Sequence, residues 1–314
     1  MGNFVEWAPG VFRIVGKTGK QKEEFASYLV MGEKIAIIDL PSRSVGKDII
    51  SYVKKEGRDT SDIKYIILTH THPDHWAGIS ALSKIKPQIV IHESGLKALT
   101  EGQKYILDKQ FPNPSKFSLA MKSSLFSKIG KVKEELITCI SDSETIDLGS
   151  EELILQSTGG HSKDSILIQA YSAKCTFIGD EGNIAPEQAA SFFIDGTGSS
   201  QKRLKLLKML SNISTEVICP AHQSPVPHPF DLYLHNLIFE HKHTKDTIYD
   251  ILVSAGEAKI HYIAEEYLNT LGISWESPFE DLGVASTTAT AFLKEMEDEG
   301  RTQYETHSKR WSIN

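Results

Sequence analysis

Residues 65–78 read YIILTHTHPDHWAG, and three histidines and an aspartate (His70, His72, Asp74 and His75) fall within six residues of it. The run YIIL has the β-branched, continuous apolar character of a buried strand. Imidazoles and carboxylates are costly to bury unpaired, so a strand end that concentrates them needs a compensating partner. His70 and His72, two residues apart on an extended segment, point the same way, and both imidazoles can reach one cation. Pro73 turns the chain, which lets Asp74 and His75 face a second cation beside the first. A lone HxH is often a hydrogen-bonded surface turn, whereas HxHxDH is a specific metal signature.

The flanking sequence supplies a scaffold. VFRIV (11–15), SYLVM (27–31), KIAIID (34–39) and QIVIHE (88–93) read as strands. VGKDIISYVKKEG (45–57) places Ile49, Ile50 and Val53 on one helical face and stops at Gly57, and AGISALSKI (77–85) reads as a second helix. Residues 96–111 and 115–136 read as helices interrupted by PNP, a segment that packs or forms a lid. Strands return at ELILQST (152–158), DSILIQA (164–170), CTFIGD (175–180) and EVICP (216–220), with a helix at 200–211. Strands alternating with helices predict a layered α/β domain. PVPHP (225–229) breaks the chain, and three helical stretches and a hairpin around His307–Lys309 follow. The predicted units are therefore a metal-binding domain over 1–228 and a small, mostly helical, winged-helix-like domain over 229–314.

Composition sets further bounds. The chain has 314 residues, 40% of them hydrophobic, and a formal charge of −7; this is a globular composition. No apolar stretch approaches the ~20 residues of a membrane span. MGNFVEWAPG lacks an apolar core of the signal-peptide kind, so the expected location is cytoplasmic. Cys139, Cys175 and Cys219 lack CxxC spacing and read as buried, reduced thiols. Charge is uneven: residues 230–314 hold seven Lys and Arg against fifteen Asp and Glu.

The motifs, taken together, resemble those of the metallo-β-lactamase-fold hydrolases, glyoxalase II-like members included. HxHxDH is joined, in that family's order, by Asp39 in IAIIDL, His161 in STGGHSKDS, Asp180 in CTFIGD and His222 in CPAHQSPV. The resemblance implies a four-layer αββα sandwich. It implies one metal held by His70, His72 and His161, and a second held by Asp74, His75 and His222, with Asp180 bridging. A histidine and carboxylate set suits two divalent zinc ions, with iron or manganese as alternatives. The related diiron flavoproteins carry Glu where this chain has His72, which argues against their oxygen chemistry. Leu40-Pro41, Gly159, Ala221 and Gln223 depart from the family's usual loop residues but spare the ligands.

The implied function is hydrolysis of a small molecule's ester, thioester or lactone carbonyl by a metal-bound hydroxide, with Asp74 orienting the nucleophile and handling its proton. The alternative is a metal-dependent endoribonuclease or phosphodiesterase, because a winged-helix-like tail resembles one nuclease group. Against nucleic acid stands the acidic tail, whose candidate recognition helix ends in four acids and one Lys among seven residues. The expected partners are a small-molecule substrate, neither nucleic acid nor membrane, and a second copy of the chain in a homodimer. A binding scaffold without turnover would not explain seven costly buried polar groups.

Overall fold

The computed structural model describes residues 4–17, 24–102, 105, 130–182, 196–272 and 282–314. Seven strands form the first sheet in chain order: β1 (Phe4–Ala8), β2 (Val11–Lys17), β3 (Glu24–Met31), β4 (Ile35–Ile38), β5 (Ile63–Ile67), β6 (Gln88–His92) and β7 (Ile137–Ile140). β1 to β4 pair antiparallel, and β4 to β7 pair parallel. Six strands form the second sheet, β8 (Ser143–Asp147), β9 (Glu152–Ser157), β10 (Ile166–Ala170), β11 (Cys175–Gly179), β12 (Val217–Pro220) and β13 (Val226–Pro227), again in chain order. Only β11 and β12 pair parallel there.

The layering follows from side-chain alternation. Along β4, Ala36 and Ile38 enter the space between the sheets, while Ile35 and Ile37 face outward. β10 and β11 do the same: Ile166, Ile168, Cys175 and Phe177 point inward, and Leu167 and Ile178 point outward. Outward residues must also be covered, which is why β4 is apolar throughout and β10 and β11 each carry a single polar residue, Gln169 and Thr176. Helix α1 (Arg43–Lys55) covers the first sheet through Val45, Ile49 and Val53. Its N-terminus is capped by Ser42, whose side chain accepts from the Val45 N–H. Helix α3 (Ser200–Leu210) covers the second sheet through Leu206, Leu207 and Leu210. Helix, sheet, sheet and helix give the four-layer αββα sandwich.

Some local readings change. AGISALSKI forms only a short 3₁₀ turn, Ile79–Leu82, because the chain here is held by tertiary bonds, Leu40 N–H to the His75 carbonyl and Gly78 N–H to the Leu40 carbonyl. β1, β7 and β8 are strands that the sequence pattern hid: β8 is polar and largely exposed, and β1 and β7 sit at the two edges of the first sheet with two exposed residues each. Cys139 lies on that edge and is exposed, unlike Cys175 and Cys219, so the expectation of three buried thiols fails for it. Helix α2 spans Leu96–Glu101; most of the rest of the predicted helical segment, with its candidate lid, lies outside the described residues.

After β13 comes α4 (Asp231–Ala255), then β14 (Glu257–Ala258), α5 (Ile260–Thr270), α6 (Leu282–Asp298), β15 (Thr302–Glu305) and β16 (Arg310–Ile313). The last strands pair as a three-stranded antiparallel sheet in the order β14-β16-β15. At 1.5 Å per residue the 25 residues of α4 reach about 37 Å, and the helix serves two cores. Leu234 and Leu237 pack with α3 and the second sheet, whereas Ile248 and Leu252 pack with Tyr267 and Phe292 of the C-terminal unit.

Phe177 is the fold's most informative test residue. It is 1% exposed between the sheets, its ring 5.1 Å from that of Tyr28 across the gap. Phe177→Ala should cost roughly 3–5 kcal/mol, as large-to-small core changes do. Urea titration followed by tryptophan fluorescence will show it as a lower midpoint.

Candidate metal centre

β4 and β5 run parallel, as do β11 and β12, so their C-terminal ends open on one edge of the sandwich. The chain leaving those ends carries Asp39, His70 to His75, Asp180 and His222, and the β9–β10 turn brings His161 to the same edge. The sequence-predicted ligands all meet there, forming two adjoining sets: His70, His72, His161 and Asp180, and Asp74, His75 and His222. Within each set the ligand atoms lie within 4.8 Å of one another.

In the first set, Nε2 of His70 lies 2.8 Å from Nδ1 of His72, and Nε2 of His161 lies 3.2 Å from the same atom. Three imidazole nitrogens converge, as ligands at ~2.0–2.1 Å from one cation must. Asp180 lies between the sets. Its Oδ2 faces Nε2 of His70 at 3.8 Å and of His161 at 3.6 Å, while its Oδ1 faces Nε2 of His75 at 3.3 Å and of His222 at 3.2 Å. Oδ2 of Asp74 approaches Nε2 of His222 at 3.4 Å and of His75 at 3.8 Å. Nε2 of His75 and Oδ1 of Asp180 are buried and make no hydrogen bond. Such orphaned lone-pair atoms, aimed at a common centre, fit a cation's demand for ligands.

Second partners fix these atoms. Asp39, held at φ 55°, accepts the Thr69 N–H on Oδ1 at 2.8 Å and the Thr69 hydroxyl on Oδ2 at 2.7 Å. Its Oδ2 also lies 2.8 Å from Nδ1 of His75. With Nδ1–H donated there, Nε2 of His75 keeps its lone pair for the centre, the tautomer metal ligands need. Gly179, at φ 50°, lies so close to Thr69 that a Cβ would sit 2.7 Å from its hydroxyl, and this contact sets Asp180 against the 69–75 loop. Asp164 accepts the N–H and hydroxyl of Thr71 at 2.8 and 2.6 Å and the Ser162 hydroxyl at 2.7 Å, tying the His70–His72 loop to the His161 turn. Glu181 accepts the His161 N–H at 3.0 Å and the Thr158 hydroxyl at 2.8 Å. The His222 turn is held from the first sheet, by Arg13 donating to the Gln223 carbonyl and Tyr28 to the Pro220 carbonyl.

Sequence reasoning missed Asp164, Glu181, Arg13 and Arg203, and assigned Asp39 to the motif without a role. Asp164 and Glu181 are each close in sequence to a candidate ligand, a cue that was readable. Arg13, and Arg203, whose Nε donates to the Glu181 carbonyl at 3.1 Å, gave none, since their contacts depend on how distant strands and helices pack. His92 is buried as a local cap, its Nδ1 accepting the Ser94 N–H and its Nε2 facing the Ser141 carbonyl.

Electrostatics matches this geometry. Burial holds the His70 pKa well below the imidazole value, aided by neighbouring His75 and His72. Burial also opposes protonation of His75, but Asp39, Asp180 and Asp74 more than offset it and leave that pKa well raised. His222 is raised in the same way, with Asp180 overcoming its burial. For Asp180, burial favours the neutral acid, and His222, His75 and His70 outweigh it to hold the carboxyl well below its usual range.

The comparisons with known proteins agree with this site. The family model described as the metallo-beta-lactamase superfamily matches residues 26–222. The chain belongs to that superfamily. An uncharacterized protein of Methanocaldococcus jannaschii, MJ0534, is 26% identical over 223 residues, which are 70% of this chain and 52% of that protein. The chain thus spans about half the length of that curated relative. Among solved structures, the metallo-beta-lactamase family protein TTHA1429 from Thermus thermophilus superposes with a TM-score of 0.69 at 16% identity, covering 98% of this chain and 99% of its own. A beta-lactamase domain protein from Burkholderia ambifaria gives 0.71 at 14% identity, covering 100% and 94%. At these identities the likeness shows the fold. The superfamily's members are typically hydrolases, and the His/Asp cluster can bind metal ions.

A cation must displace the protons that His75 and His222 retain above the ordinary imidazole value. Asp180 is already ionised and His70 already neutral, so neither supplies one. Zinc affinity should therefore keep rising with pH above ~6.5 and flatten only past the raised imidazole pKa values. Competition against a chromophoric chelator from pH 6 to 9 will read the slope; a flat profile would contradict it.

Proposed function

We propose that the chain is a dinuclear metal-dependent hydrolase acting on an ester, thioester or lactone carbonyl of a small molecule, with zinc the metal its ligands suit best. The observation that carries this reading is Asp180, whose two oxygens face different histidine sets. His70, His72 and His161 would hold one cation, Asp74, His75 and His222 the other, with Asp180 shared. When bound, two divalent cations lower the pKa of a coordinated water toward ~7 and polarise the carbonyl. The chain's residues do the rest. Asp39 holds His75 in its donor tautomer, and Asp164 and Glu181 keep the two histidine loops in register. The Asp74 side chain is 36% exposed, so its carboxylate can reach solvent, orient a water and accept its proton.

Several observations favour a small substrate over nucleic acid. The C-terminal elements, in the order helix, strand, helix, helix, strand, strand, support a winged-helix-like reading, yet this unit carries the acidic excess. Contacts with phosphate need Lys and Arg. Among the described residues no helix is long and apolar enough to cross a membrane.

Metal-replete protein should carry close to two divalent ions per chain by elemental analysis. Asp180→Ala should drop the second ion more than Asp39→Ala does; one ion or none in wild type would count against the reading. The reaction is tested by offering the zinc-loaded protein thioester, lactone, phosphodiester and short RNA substrates. Turnover of a thioester or lactone should rise with pH to a plateau near neutrality, and Asp74→Asn should lose roughly 10²-fold or more. Cleavage of RNA alone would put the nuclease alternative first.

A further inference from the structure

The turn that carries His161 is gripped from two directions. Inside, Glu181, 1% exposed, binds the His161 N–H and the Thr158 hydroxyl and packs so tightly on Gly160 that a Cβ there would collide with it. Outside, the Ser199 N–H donates to the Gly160 carbonyl at 2.7 Å. Ser199 caps α3, so that helix is fastened to the turn at its N-cap. Whatever holds α3 therefore holds His161.

The apolar face of α3 lies on the second sheet and on α4, and its polar side chains reach the C-terminal helices. Arg203, buried on α3, donates from Nε to the Glu181 carbonyl at 3.1 Å, and its Nη1 reaches Nδ1 of His241 on α4 at 3.4 Å. The Ser200 hydroxyl donates to the Ala291 carbonyl of α6 at 3.1 Å. His241 is 0% exposed, its ring 4.9 Å from that of Phe292. Burial, with the charges of Arg203 and Lys245 beside it, pulls its pKa down to about 2, so the imidazole is neutral and Nδ1 is free to accept. Nε2–H then faces Oε2 of Glu295 on α6 at 4.0 Å, and Oε1 of Glu295 accepts from Lys245 at 3.0 Å. A purely packing role for this position would not need an imidazole, since Phe292 offers an apolar neighbour.

We propose that the C-terminal unit sets the geometry of the first metal site through the buried chain Glu181–Arg203–His241, with His241 as the positioning residue. The inference rests on the metal-site reading above and assigns the C-terminal domain a task in it. Arg203 acts at one remove from the ligands: it fixes the backbone of Glu181, whose carboxylate fixes the His161 turn. Outer partners of this kind typically alter metal affinity by about 10–100-fold when removed.

The test is zinc competition titration of the full chain, comparing wild type, His161→Ala, His241→Leu and His241→Asn. His161→Ala identifies the step that belongs to the first site. His241→Leu removes the acceptor while keeping an apolar filler, and should weaken that step about tenfold and leave the other within about twofold. His241→Asn puts an oxygen near the place of Nδ1 and should restore most of the loss, which a filler role could not explain. Circular dichroism of the metal-free variants checks folding; if the Leu variant does not fold, His241→Phe, stacked on Phe292, replaces it. Two normal zinc steps in a folded Leu or Phe variant would overturn the inference alone. Equal losses in both steps, or an Asn variant as weak as Leu, would also overturn it. Wild-type protein that takes up no zinc would overturn the metal-site reading, and this inference with it.

Discussion

A buried carboxylate between two groups of histidines is the constraint around which this molecule is arranged. Asp180 is 2% exposed and ionised, and an isolated charge at that depth would be severely penalised. It persists because four imidazoles face its two oxygens and because a cation can complete the set. Those imidazoles come from three separate stretches of chain, and none can be displaced without uncovering the carboxylate. The surrounding bonds read as consequences. Asp39 fixes His75, Asp164 ties the His70–His72 loop to the His161 turn, Glu181 holds that turn from within, and Arg13 and Tyr28 hold the His222 turn. Each is a buried polar group whose own cost is offset by the charged or backbone partners it bonds.

The sandwich makes such convergence easy. Parallel pairing of β4 with β5, and of β11 with β12, sends the C-terminal ends of both pairs to one edge, one pair from each sheet. A site at that edge needs no long excursions: short loops suffice, and the interlocked apolar cores on either side limit how far they move. The ligand atoms are therefore pre-placed within a few ångströms, which reduces the ordering cost of metal binding.

The C-terminal unit is joined to this arrangement rather than appended to it. Helix α4 begins in the core beneath the second sheet and ends in the core of the C-terminal helices, so the two packings share a rigid rod. The polar contacts made by Arg203 and Ser200 run alongside, from the His161 turn to α4 and α6.

Much of this was legible in the residues alone. HxHxDH after an apolar strand follows from local chemistry, since costly groups do not cluster at a strand end without a shared partner; Asp39, His161, Asp180 and His222 were legible only through the resemblance of their order to the superfamily's motifs. The period-two strands and the α1 face were legible because burial writes itself into the order of apolar residues. The short 3₁₀ turn at 79–82, the edge strands β1 and β8 and the exposed Cys139 were not, because edge position and tertiary hydrogen bonds overrode local pattern there. Arg203 and His241 were invisible for a deeper reason. Thirty-eight positions separate them, and nothing in either neighbourhood specifies the other. The sequence by itself determined which groups could bind a metal and which strands could bury them. Only the tertiary structure decided which oxygen of Asp180 faces which histidines and which helices brace the His161 turn, because those depend on how two sheets and a shared helix pack in space.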